Sequence, residues 1–437
     1  MREEPANSNY LKPVLTVLLV SLAVRLYLIP LPGHFVDMGH FVRWAKAATE
    51  GGIAFVYALT SADYPPGIFY ILKPIGFMYQ KFISPTFEDT MLLRMLLKLP
   101  AVAADLATAL MLFFFLRKWK SEKVAFAAMT FYALNPAIMY VSAYWGQLDA
   151  VNTFFMFAAI IFLMNKHVEM SWAMFTLSAL IKMHALVIAP VLLFVSIKNY
   201  PAKRLLKAGI LSLLIIMIAF SPFLLNSRMH HVKNVYAKAV GSYPYISVNA
   251  FNLWWLFQPP EVQKMQSYYF DGKRDDQAVL GGITCRHLGL LLLGLFASCI
   301  LLLLRRNSDT FMIAFAAFSM TFAYFMLPTQ MHERYLFPMF AFFSVFHHKN
   351  KYWFMMYAIL TLTFFLNLQI LQFNDPRSQL LTEIMSVPHG ILYVSVSVAV
   401  ANTIMFGLFL AFIITKLFGR SDKSYIENEY NSLQFHP

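Results

Sequence analysis

The chain has 437 residues, of which 59% are hydrophobic, 16% aromatic and only 13% charged, with a mean hydropathy of +0.58. Soluble globular domains hold about 45–50% apolar and about 25% charged residues, so a soluble fold is excluded and lipid is the solvent that suits this composition. The net charge of +13 reports orientation in a membrane protein before it reports partners, and it gives no argument for nucleic acid.

Apolar runs such as Ala208 to Leu225 meet the roughly 20 residues that a bilayer span needs. The first run, Pro13 to Pro30, lacks a small-residue cleavage site and is long enough to be a true span, so no cleavable signal peptide is expected. In chain order, helical spans are predicted near residues 13–31, 92–116, 124–143, 148–165, 170–182, 184–197, 208–226, 287–304, 309–326, 335–347, 352–372 and 390–416. The expectation is an all-α polytopic membrane protein, a bundle of about 12 transmembrane helices. The stretches 170–182 and 184–197, joined at Lys182-Met183-His184, are alternatively one broken or re-entrant element. Such a break is tolerable only where it is buried in protein or lines a cavity.

Lys and Arg in short loops set the orientation. With the amino terminus cytoplasmic, basic connections recur on that side: Arg117 to Lys123, Asn165 to His167, Lys198 to Lys207, Arg305-Arg306, His347 to Lys351, and the tail with Lys416, Arg420 and Lys423. The opposite short loops hold only Lys182, Arg334 and Arg377. Both termini are therefore expected in the cytoplasm, and the last dozen polar residues, after Tyr425, are expected to be disordered. Two long loops, 32–91 and 227–286, lie outside. Within them Ile68 to Phe82 and Ala250 to Phe257 read as short interfacial helices, because their aromatic residues suit the headgroup region. Cys285 falls in a loop and Cys299 inside a span, so a disulfide is not expected.

The chemistry-bearing residues gather on the outer side. Asp37 follows the first span and is flanked by His34 and His40; it can cap the helix starting near Met38, act as a base, or do both. Asp63-Tyr64-Pro65-Pro66-Gly67 is a rigid turn whatever else Asp63 does. Ionisable groups in or at the ends of spans are costly and so are functional candidates. Here they are Arg25, Arg94, Lys98, Asp105, Asp149, Lys182, His184, His332, Glu333 and Arg334. Arg94 and Asp105 read better as structural, through an intramembrane ion pair or a snorkelling Arg beside a hydrogen-bonded Asp. Asn135-Pro136 ends a helix early, and the Trp145-Gly146-Gln147-Leu148-Asp149 turn after it brings indole, amide and carboxylate together, a set suited to a sugar. Lys182 and Arg334, with His332, would make a phosphate site. There is no metal pattern stronger than scattered histidines, and no nucleotide loop or Ser-His-Asp arrangement.

Taken in order and side, the Asp37 loop, Asp63-Tyr64-Pro65-Pro66, the Trp145–Asp149 turn, Lys182 and His332-Glu333-Arg334 resemble the GT-C class of membrane glycosyltransferases, which use polyprenyl-phosphate sugars. The pattern is similar to bacterial mannosyltransferase-like proteins related to GPI-anchor mannosyltransferases. It is similar also to the ER glucosyltransferases of N-glycan assembly, where Lys stands in place of Arg334. The resemblance implies one membrane-embedded domain over 1–437. Its parts would be a catalytic module at 1–226 that includes the first external loop 32–91, the second external loop at 227–286, C-terminal helices at 287–416 and a cytoplasmic tail at 417–437.

It further implies inverting, metal-independent transfer of a hexose, mannose or glucose, from a polyprenyl-phosphate sugar to a hydroxyl of a glycan or glycolipid acceptor at the outer membrane face, with no cofactor. Asp37 would be the catalytic base, Lys182, Arg334 and His332 would meet the donor phosphate, and Asp63, Tyr64, Trp145, Gln147, Asp149, His40 and Glu333 would contact sugar or acceptor. A secondary transporter of a polar or anionic solute is the main alternative; it would favour internal repeats and sites at the bilayer midplane. A lipid-linked glycan ligase or polymerase is the nearer rival.

Overall fold

A computed structural model of the protein describes residues 10–264, 269–371 and 390–418. Each predicted span coincides with helical structure, though not each with a helix able to cross a bilayer alone. Among the described residues six helices have the length and apolarity of a span: Leu11–Leu28, Met91–Leu116, Ala202–Leu225, Cys285–Arg306, Lys351–Ile370 and Gly390–Phe418. The pair Glu122–Ala133 and Pro136–Trp145, bent by 46°, makes a seventh when counted as one span. Asp149–Met164, Val168–Ile181, Met183–Asn199 and Thr310–Met326 are apolar but shorter. At 1.5 Å per residue a 16-residue helix such as Asp149–Met164 rises about 24 Å, short of the roughly 30 Å hydrocarbon core. Arg377 and the tail beyond Phe418 lie outside the described residues.

Local chemistry explains several boundaries. Thr90, Ser121, Asp309 and Asn350 each cap the helix that follows, their side-chain oxygens accepting from the first-turn N–H groups of Leu93, Val124, Met312 and Trp353. The bend after Ala133 is made by Asn135, whose side chain accepts from Ala137 and Ile138 with Pro136 in the first helical turn. Leu206, Ile210, Leu213, Leu214, Met217 and Ile218 stand exposed along Ala202–Leu225. An apolar stripe of this kind is what lipid, rather than water, surrounds. Inside, Phe315, Phe318, Phe343, Phe346, Trp353 and Phe409 form one aromatic core among the C-terminal helices.

The Lys182 joint resolves into two short antiparallel helices rather than one broken span. Trp172 Nε1 donates to Ser196 Oγ at 3.0 Å, which is possible only if the chain reverses near Lys182. The reversal is buried, with Lys182 5% and His184 7% exposed, as irregular backbone at membrane depth requires.

The intramembrane charges are paired, with partners the sequence did not specify. Asp105 meets Arg25 at 3.1 Å with both fully buried, and Arg25 also donates to Ser21 and the Ala133 carbonyl. Arg94 pairs instead with Asp89 at 2.7 Å. Lys98 Nζ donates to the Ile29 and Leu31 carbonyls, so a cation sits at the end of the first span where the helix dipole favours it.

The two long loops carry the short helices expected of them and further elements besides. The first holds two 16-residue helices, Phe35–Glu50 and Gly67–Phe82, packed on each other. The second holds Met229–Lys238, a 3-10 turn at Leu253–Phe257, and a hairpin in which Ala278–Leu280 pairs antiparallel with Ile283–Thr284. Gly281 and Gly282 turn that hairpin with positive φ, the conformation a two-residue turn needs. Buried Asp275 fastens this loop to the His332 segment: it accepts from Thr329 at 2.6 Å and Gln330 at 2.7 Å, and pairs with Arg286 at 2.8 Å.

Candidate active site

Helix order determines what can meet. The chain traverses the bundle so that the Trp145–Asp149 turn, Lys182 and the Met331–Arg334 segment emerge at one end, where the Phe35–Glu50 helix begins. The basic connections gather at the other end. There Lys198 donates to the Leu304 and Arg305 carbonyls, and Arg306 to that of Leu417.

Two backbone segments lock the site's frame. Gly33 has φ +75, and a Cβ there would stand 2.8 Å from the Trp145 carbonyl oxygen and 2.9 Å from that of Tyr144. His34 N–H donates to the same Trp145 oxygen at 3.1 Å. Opposite, Tyr140–Trp145 is a π-helical turn that ends at Gly146 with φ +89, and a Cβ on Gly146 would collide with Met38 Sδ. Only glycine serves at these two points. The His34 ring stacks on the Trp145 indole, centroids 4.6 Å apart. His34, not Asp37, caps the Phe35–Glu50 helix, its side chain accepting from the Asp37 N–H at 3.3 Å. The Asp37 carboxylate is thereby left in the first turn, pointing to other partners.

Those partners form a continuous ionic chain. Asp37 Oδ2 accepts from Trp145 Nε1 at 2.7 Å and lies 3.7 Å from Arg334 Nη1. Arg334 donates to Glu333 at 2.6 Å and stands 3.8 Å from Asp149 Oδ2. Asp149 is fully buried, and its other oxygen accepts from Lys182 Nζ at 2.6 Å. Three carboxylates thus hold two cations. Only the contacts to Glu333 and Lys182 are short, and the Arg334 contacts to Asp37 and Asp149 are long enough to yield to a better anion. Burial pushes the Asp37 carboxyl up, but the Arg334 charge, His34, and the hydrogen bonds of Trp145 and Gln147 outweigh it. They hold the carboxyl well below the usual carboxylate range. Burial, then the nearby Arg334 charge, pushes the His332 imidazole well below its ordinary value.

A cavity of about 500 Å³ opens beside this chain. Lys182, Tyr64, His184 and Tyr335 line its inner wall, with Asp63, Asn234 and Tyr243 farther out. Lys182 Nζ lies 5.3 Å from the Tyr64 ring centroid and 5.8 Å from that of Tyr335, and Tyr64 donates to Gln147 at 3.2 Å. The structure therefore brings Asp37, Tyr64, Trp145, Gln147, Asp149, Lys182, Glu333 and Arg334 into one neighbourhood. His332 sits against it, its ring between those of Tyr243 and Tyr335. Asp63 stands at the exposed rim, accepting from Tyr243 at 3.3 Å. His40 lies apart, bonded to Arg43 at 3.0 Å and resting on Trp44. The sequence alone assigns no role to Tyr335 or Gly33. Tyr335 adjoins the His332-Glu333-Arg334 segment, which was its available signal, while Gly33 had none.

What the fold and site define is an all-α, multi-pass membrane protein with a carboxylate–cation cluster at one end of its helices. Residues 93–239 match the family described as ALG3 protein. That stretch holds the Trp145–Asp149 turn and Lys182, and the match supports the resemblance to the GT-C glycosyltransferases. Among solved structures the chain is similar to ArnT from Cupriavidus metallidurans, crystallised bound to undecaprenyl phosphate. The TM-score is 0.49 and the identity 13%, over 95% of this chain and 79% of that one. No curated protein matches the chain.

Proposed function

We propose that the protein is an inverting hexosyltransferase that takes a hexose from a polyprenyl-phosphate sugar and places it on a hydroxyl of a lipid-linked glycan or cell-surface acceptor at the non-cytoplasmic membrane face. One observation carries this reading: Asp37, Arg334 and Lys182, from three distant parts of the chain, meet beside a cavity of about 500 Å³ at the end of the bundle away from the basic loops. The ALG3 match supports it, since that family consists of dolichyl-phosphate-mannose mannosyltransferases, and mannose is accordingly the first hexose to test. The excess of Lys and Arg at the opposite end supports a cytoplasmic location for that end.

The chemistry follows from charge. The donor's phosphate enters beside Lys182, and Arg334 exchanges its long contacts to Asp37 and Asp149 for phosphate oxygens. Asp149 and Glu333 keep the two cations in place. Losing its cation makes Asp37 a stronger base as substrate arrives, moving it toward the range in which general bases work best. Asp37 takes the acceptor's hydroxyl proton as that oxygen bonds to the anomeric carbon. The bond from that carbon to the phosphate oxygen breaks on the opposite face, and the lipid phosphate departs with the electron pair, its charge met by Lys182 and Arg334. Trp145 holds the carboxylate in line, while Asp63 and Tyr64 face the cavity where sugar or acceptor would lie.

The test is a donor screen with the full chain in nanodiscs, offering synthetic polyprenyl-phosphate mannose and polyprenyl-phosphate glucose with glycolipid acceptors. Transfer with inversion at the anomeric carbon is expected from one of these donors. Failure to bind either donor would overturn the reading.

A further inference from the structure

His184 is a buried imidazole that the scheme above leaves unused. It is 7% exposed, lies two residues beyond Lys182 at the helix reversal, and shares the inner cavity wall with Lys182 and Tyr335. Its Nε2 is 2.6 Å from Asn152 Nδ2, and its Nδ1 is buried with no hydrogen-bond partner among the described residues.

The surroundings fix which ring nitrogen carries the proton. Ser178 Oγ donates to Asn152, lying 2.8 Å from its Oδ1 and 2.9 Å from its backbone oxygen. Reversing the Asn152 amide would still satisfy Ser178, so the serine alone does not orient it. Met156 does: its Sδ lies 3.3 Å from Asn152 Nδ2, and a thioether accepts but cannot donate. The amide nitrogen therefore faces both Met156 and His184, and it donates to Nε2. A neutral imidazole that accepts at Nε2 carries its hydrogen on Nδ1. His184, a residue lining the cavity with Lys182, thus carries a buried N–H donor that has no acceptor among the described residues. A buried donor left unpaired is costly, and a ligand oxygen would remove that cost.

We infer that the His184 Nδ1–H donates to a non-bridging phosphate oxygen of the polyprenyl-phosphate headgroup beside Lys182, an inference that rests on the function proposed above. A neutral donor suits this position. It adds a directed hydrogen bond to the anion without placing a third cation against Lys182 and Arg334. Phosphate is favoured over a sugar hydroxyl because the Lys182 cation is the neighbour of His184 on this wall.

Two substitutions separate the ring nitrogens. Asn at 184 keeps an amide N–H near the Nδ1 position, whereas Gln reaches to the Nε2 position and keeps only the Asn152 contact. Binding of sugar-free polyprenyl phosphate and of polyprenyl-phosphate mannose to purified full-length protein would be measured for wild type, His184→Asn and His184→Gln, with thermal melting confirming each fold. His184→Gln is expected to bind both lipids roughly tenfold or more weakly, the usual weight of a hydrogen bond to a charged group, and His184→Asn to stay within a few-fold of wild type. Equal binding by wild type and His184→Gln, or a loss confined to the sugar-bearing lipid, overturns the inference and leaves the proposed function standing. Wild type that binds neither lipid overturns both.

Discussion

Replacing Arg334 by Gln removes the cation from the centre of the ionic chain while keeping a polar side chain of similar reach. In the resting protein its guanidinium stands 3.7 Å from Asp37 and 3.8 Å from Asp149. Two unit charges about 4 Å apart interact by about 4 kcal/mol at an effective dielectric of 20, and water entering the variant's site would reduce that. The Arg334 charge is the leading influence that depresses the Asp37 carboxyl, so its removal raises that pKa. A depressed carboxyl keeps its charge until the pH falls through its low folded-state value. Wild-type kcat/KM, which reports the unliganded protein, should therefore stay flat as the pH falls through the usual carboxylate range. In Arg334→Gln the acid limb should move upward into or above that range. Donor KM should rise at every pH, by roughly tenfold or more for lost charge-assisted bonds to phosphate. Arg334→Lys, which keeps the charge but loses the planar fork, should preserve the acid limb and weaken the donor. The assay is transfer from polyprenyl-phosphate mannose over a pH series in nanodiscs. Identical acid limbs for wild type and Arg334→Gln, with an unchanged donor KM, would refute the coupling of Arg334 to Asp37.

Trp145→Phe deletes the indole N–H that donates to Asp37 at 2.7 Å; kcat should fall by roughly tenfold or more with little change in donor KM, read by steady-state kinetics. Gly146→Ala places a Cβ against Met38 at a residue with φ +89, and should lower the melting temperature in detergent, the strained backbone alone costing about 1–3 kcal/mol. Asp105→Asn breaks the fully buried pair with Arg25 and should destabilise by about 3–5 kcal/mol. Thermal unfolding would show it, and the double variant Arg25→Met/Asp105→Leu should recover much of the loss.

Much of this arrangement is legible in the sequence because lipid and charge impose strong patterns. Span positions follow from apolar runs, and the buried reversal at Lys182 follows from a cation set between two runs that are each too short. The gathering of Asp37, Asp149, Lys182 and Arg334 at the end of the bundle away from the basic loops follows from the Lys and Arg bias of those loops. What sequence reading misses are matters of pairing. Arg25 finds Asp105, and Arg94 finds Asp89, because partner choice depends on helix rotation that composition does not record. Asp149 reads as a sugar ligand from its neighbours Trp145 and Gln147, and those neighbours do not disclose its contacts with Lys182 and Arg334. The helix cap passes from Asp37 to His34 because the carboxylate is drawn to the indole and guanidinium brought in from two other segments. The Gly281–Gly282 hairpin and the Asp275 fastening depend on contacts between loop segments, which hydropathy does not detect.

The central claim is that Asp37 takes the acceptor's proton. It is tested most directly by comparing wild type with Asp37→Asn in transfer from a polyprenyl-phosphate hexose that the wild type uses, with donor binding measured on the same preparations. Asn keeps the size of the side chain but cannot take a proton. The account predicts that Asp37→Asn binds donor at least as well as wild type, because Arg334 is released from the carboxylate, while transfer falls by roughly 10²–10⁴-fold, the usual contribution of general base catalysis. Transfer by Asp37→Asn at a rate close to wild type would contradict it.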